Sequence, residues 1–272
     1  MDGTWEVYAL KYGEVTARRR AEAFIGGDPH DGPMPLDYFT WVLRSGERAI
    51  LVDTGFEAEE GARRGRVIER APHEALAPLG LSPETVDTVI VTHLHYDHAG
   101  GLHRYPAATF HLQAAEMAFA TGPCMCHEHL RHPFTAEHVC EMVRHVFSGR
   151  VIFHDGDAEV APGVTVHRIG GHSRGLQAVR VRTREGWLCL ASDASHYYAN
   201  YLQGRPFPIV VDMEETLAGY GRIQALASQP GLVIPGHDPL VRRLFPEIAG
   251  GFVHRLDVAP RSFDPLAMAA EG

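Results

Sequence analysis

Thr92-His93-Leu94-His95-Tyr96-Asp97-His98 decides how this chain is read. Three imidazoles and a carboxylate are packed into one short stretch. His93 and His95 are two residues apart, so in extended backbone they project to the same side. Asp97 and His98 follow as the chain turns, and Gly100-Gly101 lets the backbone bend tightly. The stretch abuts the apolar run Val86–Val91, which reads as a buried strand. A His-rich surface loop would not sit there, whereas ligands for two adjacent metals would.

Three further loops share the design. Ile169-Gly-Gly-His172 follows the apolar stretch from Val164, Leu190-Ala-Ser-Asp193 follows the one from Trp187, and Val233-Ile-Pro-Gly-His237 ends a short strand. Strand ends in layered folds converge on one edge, where ligands bind. The set is His93, His95, Asp97, His98, His172, Asp193 and His237, too many donors for one tetrahedral site. It suits two divalent ions if Asp193 bridges, one taking His93, His95 and His172 and the other Asp97, His98 and His237. Nitrogen and oxygen donors without thiolate suit zinc in a catalytic site, with iron, cobalt and manganese as the alternatives.

The rest of the chain is consistent with an enzyme of small molecules. Its 272 residues are 45% hydrophobic, enough for a sizeable core, and 18 are His. A net charge of -9 argues against a nucleic-acid partner. No apolar run reaches the ~20 residues of a membrane span, and the start MDGTWEVYALKYGE has no signal-peptide pattern, so a cytoplasmic protein is expected. Four cysteines at this length do not make a disulfide scaffold. Strands are expected at Thr4–Leu10, Tyr38–Leu43, Ala49–Val52, Thr109–Leu112, Val164–Ile169, Ala178–Val181, Trp187–Ala191 and Gly231–Ile234. Helices are expected at Glu57–Ile68, after Ser82-Pro-Glu, at Gln113–Ala120, Ala136–Phe147 and Pro239–Ile248, and from an Asp212/Glu215 capping box to about Ser228. Strands in two groups, each followed by helices, indicate an α/β layered fold with two sheets.

The run His93-x-His95-x-Asp97-His98, with Gly170-Gly-His172-Ser, Asp193 and Gly236-His237, resembles the metallo-β-lactamase superfamily over roughly Phe39 to Asp238. That resemblance implies an αββα four-layer sandwich, here one domain over 1–272 with a flap-like insertion near 122–148. It also implies that Asp53, in Leu51-Val-Asp53-Thr-Gly55, orients a ligand His from beneath. Length, the short tail after His237 and Ser192-Asp193-Ala194-Ser195 are most similar to the N-acyl-homoserine lactonase group, the quorum-quenching branch. The implied reaction is opening of a lactone or related cyclic ester by a metal-bridging hydroxide, with Asp97, or water beside it, delivering the leaving group's proton. Where that group carries a substrate-binding Tyr three residues past the bridging Asp, this chain has His196, expected to donate a hydrogen bond to the substrate carbonyl; Tyr197 and Tyr198 are the alternatives. Two competing readings are a thioester hydrolase of the glyoxalase II type and a non-catalytic metal-binding protein. Cys124-Met-Cys126-His127-x-His129, with His132, His138, Cys140 and His145, lacks zinc-finger spacing; the resemblance implies a helical flap packing its own side chains, with a further structural metal as the alternative. A homodimer is left open.

Overall fold

The structure is a computed structural model describing residues 3–30, 32–261 and 264–270. In chain order its strands are β1 (Glu6–Val15), β2 (Leu36–Ser45), β3 (Arg48–Val52), β4 (Val67–Ile68), β5 (Thr88–Ile90), β6 (Thr109–Gln113), β7 (Val151–His154), β8 (Ala158–Ala161), β9 (Val164–Arg168), β10 (Gln177–Thr183), β11 (Gly186–Ser192), β12 (Val233–Pro235), β13 (Glu247–Ala249) and β14 (Val253–Arg255). The α-helices are α1 (Ala58–Arg64), α2 (Ala114–Ala120), α3 (Glu128–Arg131), α4 (Ala136–Phe147), α5 (Tyr198–Gln203), α6 (Met213–Leu226), α7 (Leu240–Leu244) and α8 (Pro265–Ala270).

One sheet runs β13-β14-β1-β2-β3-β5-β6-β7, with β4 attached to β1; the other runs β12-β11-β10-β9-β8. Side-chain alternation shows how they are layered. Val7, Ala9, Trp41, Leu43, Ile50 and Val52 enter the core shared with β9, β10 and β11. Their neighbours Tyr8, Leu10, Val42 and Leu51 point the other way, into a core with Phe119 of α2 and with Val139 and Met142 of α4. The first sheet is therefore covered on both faces, the arrangement that lets its strands be apolar throughout. Tyr220 and Ile223 of α6 close the far side of the second sheet, giving the αββα sandwich.

Several expected elements are shorter or differ in kind. The helix expected over Glu57–Ile68 stops at Arg64, where Gly65 turns left-handed at φ 64°. Val67 and Ile68 then pair with Glu14 and Gly13 as β4. After Ser82 only a 3₁₀ turn forms, Pro83–Thr85, because the Thr85 hydroxyl bonds back to Ser82 and Val86 is already extended. The helix expected over Pro239–Ile248 ends at Leu244, ahead of Pro246, and Glu247–Ala249 is a strand instead. The strand expected at Gly231–Ile234 covers Val233–Pro235, with a 3₁₀ turn at Pro230–Leu232 before it. α4 keeps its expected bounds but packs on the first sheet, so only the residues before it project beside the strand ends. Among the described residues no helix is long and apolar enough to cross a membrane.

Candidate metal centre

β3 and β5 run parallel, as do β11 and β12, and β9 shares the direction of β11 through antiparallel β10. The loops leaving β3, β5, β9, β11 and β12 therefore emerge at one edge. They bring Asp53, the 93–98 segment, His172, Asp193 and His237 together, all seven sequence-derived donors being buried. His93, His95 and His172 offer ligand atoms within 4.8 Å of one another, and so do Asp97, His98 and His237. These are the two sets expected from the sequence. Asp193 lies between them, with Oδ2 3.3 Å from His172 Nε2 and Oδ1 3.4 Å from His98 Nε2 and 3.0 Å from His237 Nε2.

Neighbouring groups decide which nitrogen of each ring faces inward. His172 Nδ1–H donates to the Ile209 carbonyl at 2.7 Å and His237 Nδ1–H to the Asp37 carbonyl at 2.8 Å. His98 Nδ1–H donates to Asp53 Oδ2 at 2.7 Å. Thr92 donates its hydroxyl to the same carboxylate oxygen at 2.8 Å and lies 3.1 Å from His93 Nδ1, which donates to it in turn. Each Nε2 therefore turns a lone pair inward. His172 Nε2 and His93 Nε2 are only 3.2 Å apart, and His98 Nε2 and Asp193 Oδ1 are buried without a hydrogen-bond partner. Lone pairs this close repel unless a proton or a cation lies among them, so the donor set fits metal ions.

The charges follow the same logic. Burial opposes ionisation of Asp193, but His237, His98 and His196 outweigh it and hold the carboxyl well below its usual range. Burial lowers His98, yet Asp193, Asp53 and Asp97 together raise it well above an ordinary histidine. His93 and His95 are driven the other way, chiefly by burial. A proton lodged in the His98–Asp193 region is what a divalent cation would displace.

Strain and close approach build the loops. Asp53 and Ser192 are the described non-glycine residues with positive φ, 61° and 47°, each at the end of a central strand. Asp53 is there for its contacts: Oδ1 accepts from Thr92 N at 2.7 Å while Oδ2 holds His98, as the resemblance implied. Gly236 admits the Asp193 carboxylate so closely that a Cβ there would lie 2.5 Å from Oδ1.

Some residues that build the centre had no legible signal. Glu116, fully buried on α2, accepts from Leu94 N at 2.9 Å, Ser173 Oγ at 2.7 Å and Gly175 N at 2.8 Å, tying the 93–98 segment to the loop of His172. Burial raises its carboxyl above the usual range. Asp37, through its carbonyl, and Ser192, whose Oγ is 2.9 Å from Thr92 Oγ1, act similarly. Their only sequence mark is polarity inside apolar runs.

His196 differs from expectation. Its ring is buried, stacked on Phe207 with centroids 3.6 Å apart, and its Nε2 is 3.1 Å from Asp193 Oδ2. The tight turn after Asp193, clamped by Gly236 N on Ser195 O and His237 N on His196 O, folds the ring back over the carboxylate. Tyr197 is buried and donates to the Met34 carbonyl at 3.2 Å, and Tyr198 packs in the core between the sheets. The Cys/His-rich segment gathers no donor group: Cys126 and Cys140 are exposed free thiols, and among the described residues every group of three or more close donors belongs to the centre above.

Beside the centre lies an open cleft of about 460 Å³, whose floor includes His95 and His172 and whose walls include Leu130, Pro133, Ile209 and Val211. A larger cleft of about 830 Å³, lined by Arg63, Arg64 and Arg66, holds none of the donors.

The family model of the metallo-beta-lactamase superfamily matches residues 34–237, a stretch that contains every donor and ends on the last of them. The chain belongs to the metallo-beta-lactamase superfamily. Among its superfamily relatives, an N-acyl homoserine lactonase of Bacillus cereus is 28% identical over 219 residues, covering 75% of this chain and 82% of the relative. A quorum-quenching N-acyl homoserine lactone lactonase has the same fold, with a TM-score of 0.74 at 24% identity over 89% of this chain and 96% of that one. So does a dizinc quorum-quenching lactonase solved with its product, with a TM-score of 0.70 at 15% identity over 97% of both chains.

Proposed function

We propose that this superfamily member hydrolyses the ester bond of a lactone, with two divalent metal ions, expected to be zinc, in the centre around Asp193. The observation that carries the reading is the convergence of inward lone pairs from His93, His98, His172 and His237 on one buried carboxylate, beside a cleft that His95 and His172 reach and that Leu130, Pro133, Ile209 and Val211 line together with Glu128, His129 and His132. The lactonase relatives support the substrate class. His93, His95 and His172 would hold one ion, Asp97, His98 and His237 the other, and Asp193 both. When bound, such a pair supplies Lewis acidity toward a carbonyl and acidifies water toward a pKa of ~7.

The chain's own groups do the rest. Asp53, Thr92 and the carbonyls of Ile209 and Asp37 fix the ring tautomers, so no reorganisation is needed on binding. Leu130, Ile209 and Val211 take the apolar part of the substrate and exclude water from it. Ring opening forms a bond from a water oxygen to the carbonyl carbon and breaks the ring C–O bond; the leaving alkoxide takes a proton. The attacking water gives up one proton, and Asp97, with Oδ2 3.7 Å from His237 Nε2, is the carboxylate we assign to carrying it to that alkoxide, directly or through a water beside it.

The test is a hydrolysis panel of acyl-homoserine lactones, simple lactones and thioesters, run on a preparation assayed for metals. Lactone turnover with about two zinc ions per chain, abolished by a chelator and restored by zinc, is expected. Turnover of thioesters alone would replace the lactone assignment with the glyoxalase II type, and full activity in metal-free protein would overturn the metal reading.

A further inference from the structure

Of the rings in the centre, His196 has no partner at Nδ1, where His93, His98, His172 and His237 each have one. His98, His172 and His237 commit Nδ1–H to Asp53, the Ile209 carbonyl and the Asp37 carbonyl. His196 Nδ1 is buried without a hydrogen bond, and the ring face is covered by Phe207 at a 13° interplanar angle. This asymmetry fixes the tautomer. Were Nε2 to present a lone pair, as a ligand must, the proton would sit on Nδ1 and a buried donor would go unsatisfied, which is destabilising. With the proton on Nε2, that atom donates to Asp193 Oδ2 at 3.1 Å and only a lone pair is left unpaired. Unsatisfied acceptors are tolerated more readily than unsatisfied donors.

The backbone adds a second constraint. His196 O accepts from His237 N at 3.0 Å, and Ser195 O accepts from Gly236 N at 2.9 Å. His196 thus joins the shared carboxylate to the loop bearing His237, even though its ligand atoms lie within 4.8 Å of those of His172 and Asp193.

We infer that His196 is a positioning residue: its Nε2–H donates to Asp193 Oδ2 and holds the shared carboxylate in place, neither binding a metal nor touching the substrate. The inference rests on the metal reading above. It implies that the ring is replaceable by any side chain that brings an N–H to the same point. Gln does so, because its Nε2 is as many bonds from Cβ as the imidazole Nε2 is by the shorter path; Ala does not.

The experiment compares wild type, His196→Ala and His196→Gln by cobalt titration against a competing chelator, following both stoichiometry and the visible cobalt spectrum. Circular dichroism of each metal-free protein checks the fold, and the Gln variant serves if the Ala variant is misfolded. The expected result is two cobalt ions in wild type, tenfold to a hundredfold weaker binding in His196→Ala, and near-wild-type affinity and spectrum in His196→Gln. In nitrogen-15-labelled zinc protein, the His196 ring is expected to carry its proton on Nε2, and that ring's signal is expected to be absent from both variants. Loss of one cobalt ion in both variants would make His196 a ligand and overturn the inference. Unchanged binding in both would also overturn it. Failure of wild type to bind two ions would refute the metal reading itself, which separates the two failures.

Discussion

Single atoms govern this centre, and their replacement has predictable effects. Gly236→Ala places a methyl 2.5 Å from Asp193 Oδ1 and 2.9 Å from the Ser192 carbonyl, with backbone on one side and a shared ligand on the other. Asp193 must give way, so elemental analysis is expected to find less than half the wild-type metal in a protein whose circular dichroism is unchanged. Asp53→Ala removes the acceptor that fixes the His98 tautomer and the partner of Thr92 N. A tenfold to hundredfold loss of metal affinity is expected, read by chelator competition. The seven donors were legible as candidates because they lie on four loops that each leave an apolar run, and glycines in those loops marked the turns. The tautomers were not, because they depend on carbonyls of Asp37 and Ile209 that approach from distant parts of the chain. The orientation of His196 was missed for the same reason: backbone spacing placed it near the centre, but the clamp from Gly236 and His237 decides where its ring goes.

Among the elements, α2 has the largest unforeseen role. Its Glu116 is the one acceptor joining Leu94, Ser173 and Gly175. Glu116→Ala leaves those donors buried and unpaired, and a stability loss of about 3 kcal/mol is expected from urea unfolding midpoints. Glu116→Gln keeps an acceptor and is expected to lose less. The helix itself was readable, Gln113–Ala120 against the observed Ala114–Ala120, as was α4 with its apolar face. Where expectation failed, a turn intervened within a pattern of mixed polarity: Gly65 cut α1 short, and Pro246 stood after α7. The short strands β4, β13 and β14 have two or three residues each, too short for alternation to register.

At the scale of the whole molecule, two histidines outside the donor cluster make stability depend on pH. Burial, helped by His154, pushes His111 down to about 4; burial, with Arg150 and His103, does the same to His145. Unfolded, both return toward 6.5. Between those values the unfolded chain binds more protons, so stability is full above about pH 6.5 and falls as pH drops toward 4. Allowing for solvent screening, each ring is worth about 1 kcal/mol at pH 5. In metal-free protein, the drop in urea midpoint from pH 7 to pH 5 is expected to be smaller in a His111→Asn, His145→Phe variant; an equal drop would refute the assignment. The two-sheet plan was legible from the grouping of strands and helices. The depth of these histidines was not, since His111 meets His154 only across the β6–β7 pairing, with Nδ1 and Nε2 3.0 Å apart.

The donors are divided between the two sheets, and this has a consequence in time. A ribosome completes His93, His95, Asp97 and His98 more than a hundred residues before it reaches His237. At ~5–20 residues per second, that first cluster waits on the order of ten seconds without Asp193 or His237. Three imidazoles and a carboxylate on a nascent, open chain bind copper or nickel more tightly than zinc. On the metal reading proposed above, the ions in the finished protein would depend partly on which cations are free near the ribosome, and partly on whether the later half arrives in time to displace the wrong one.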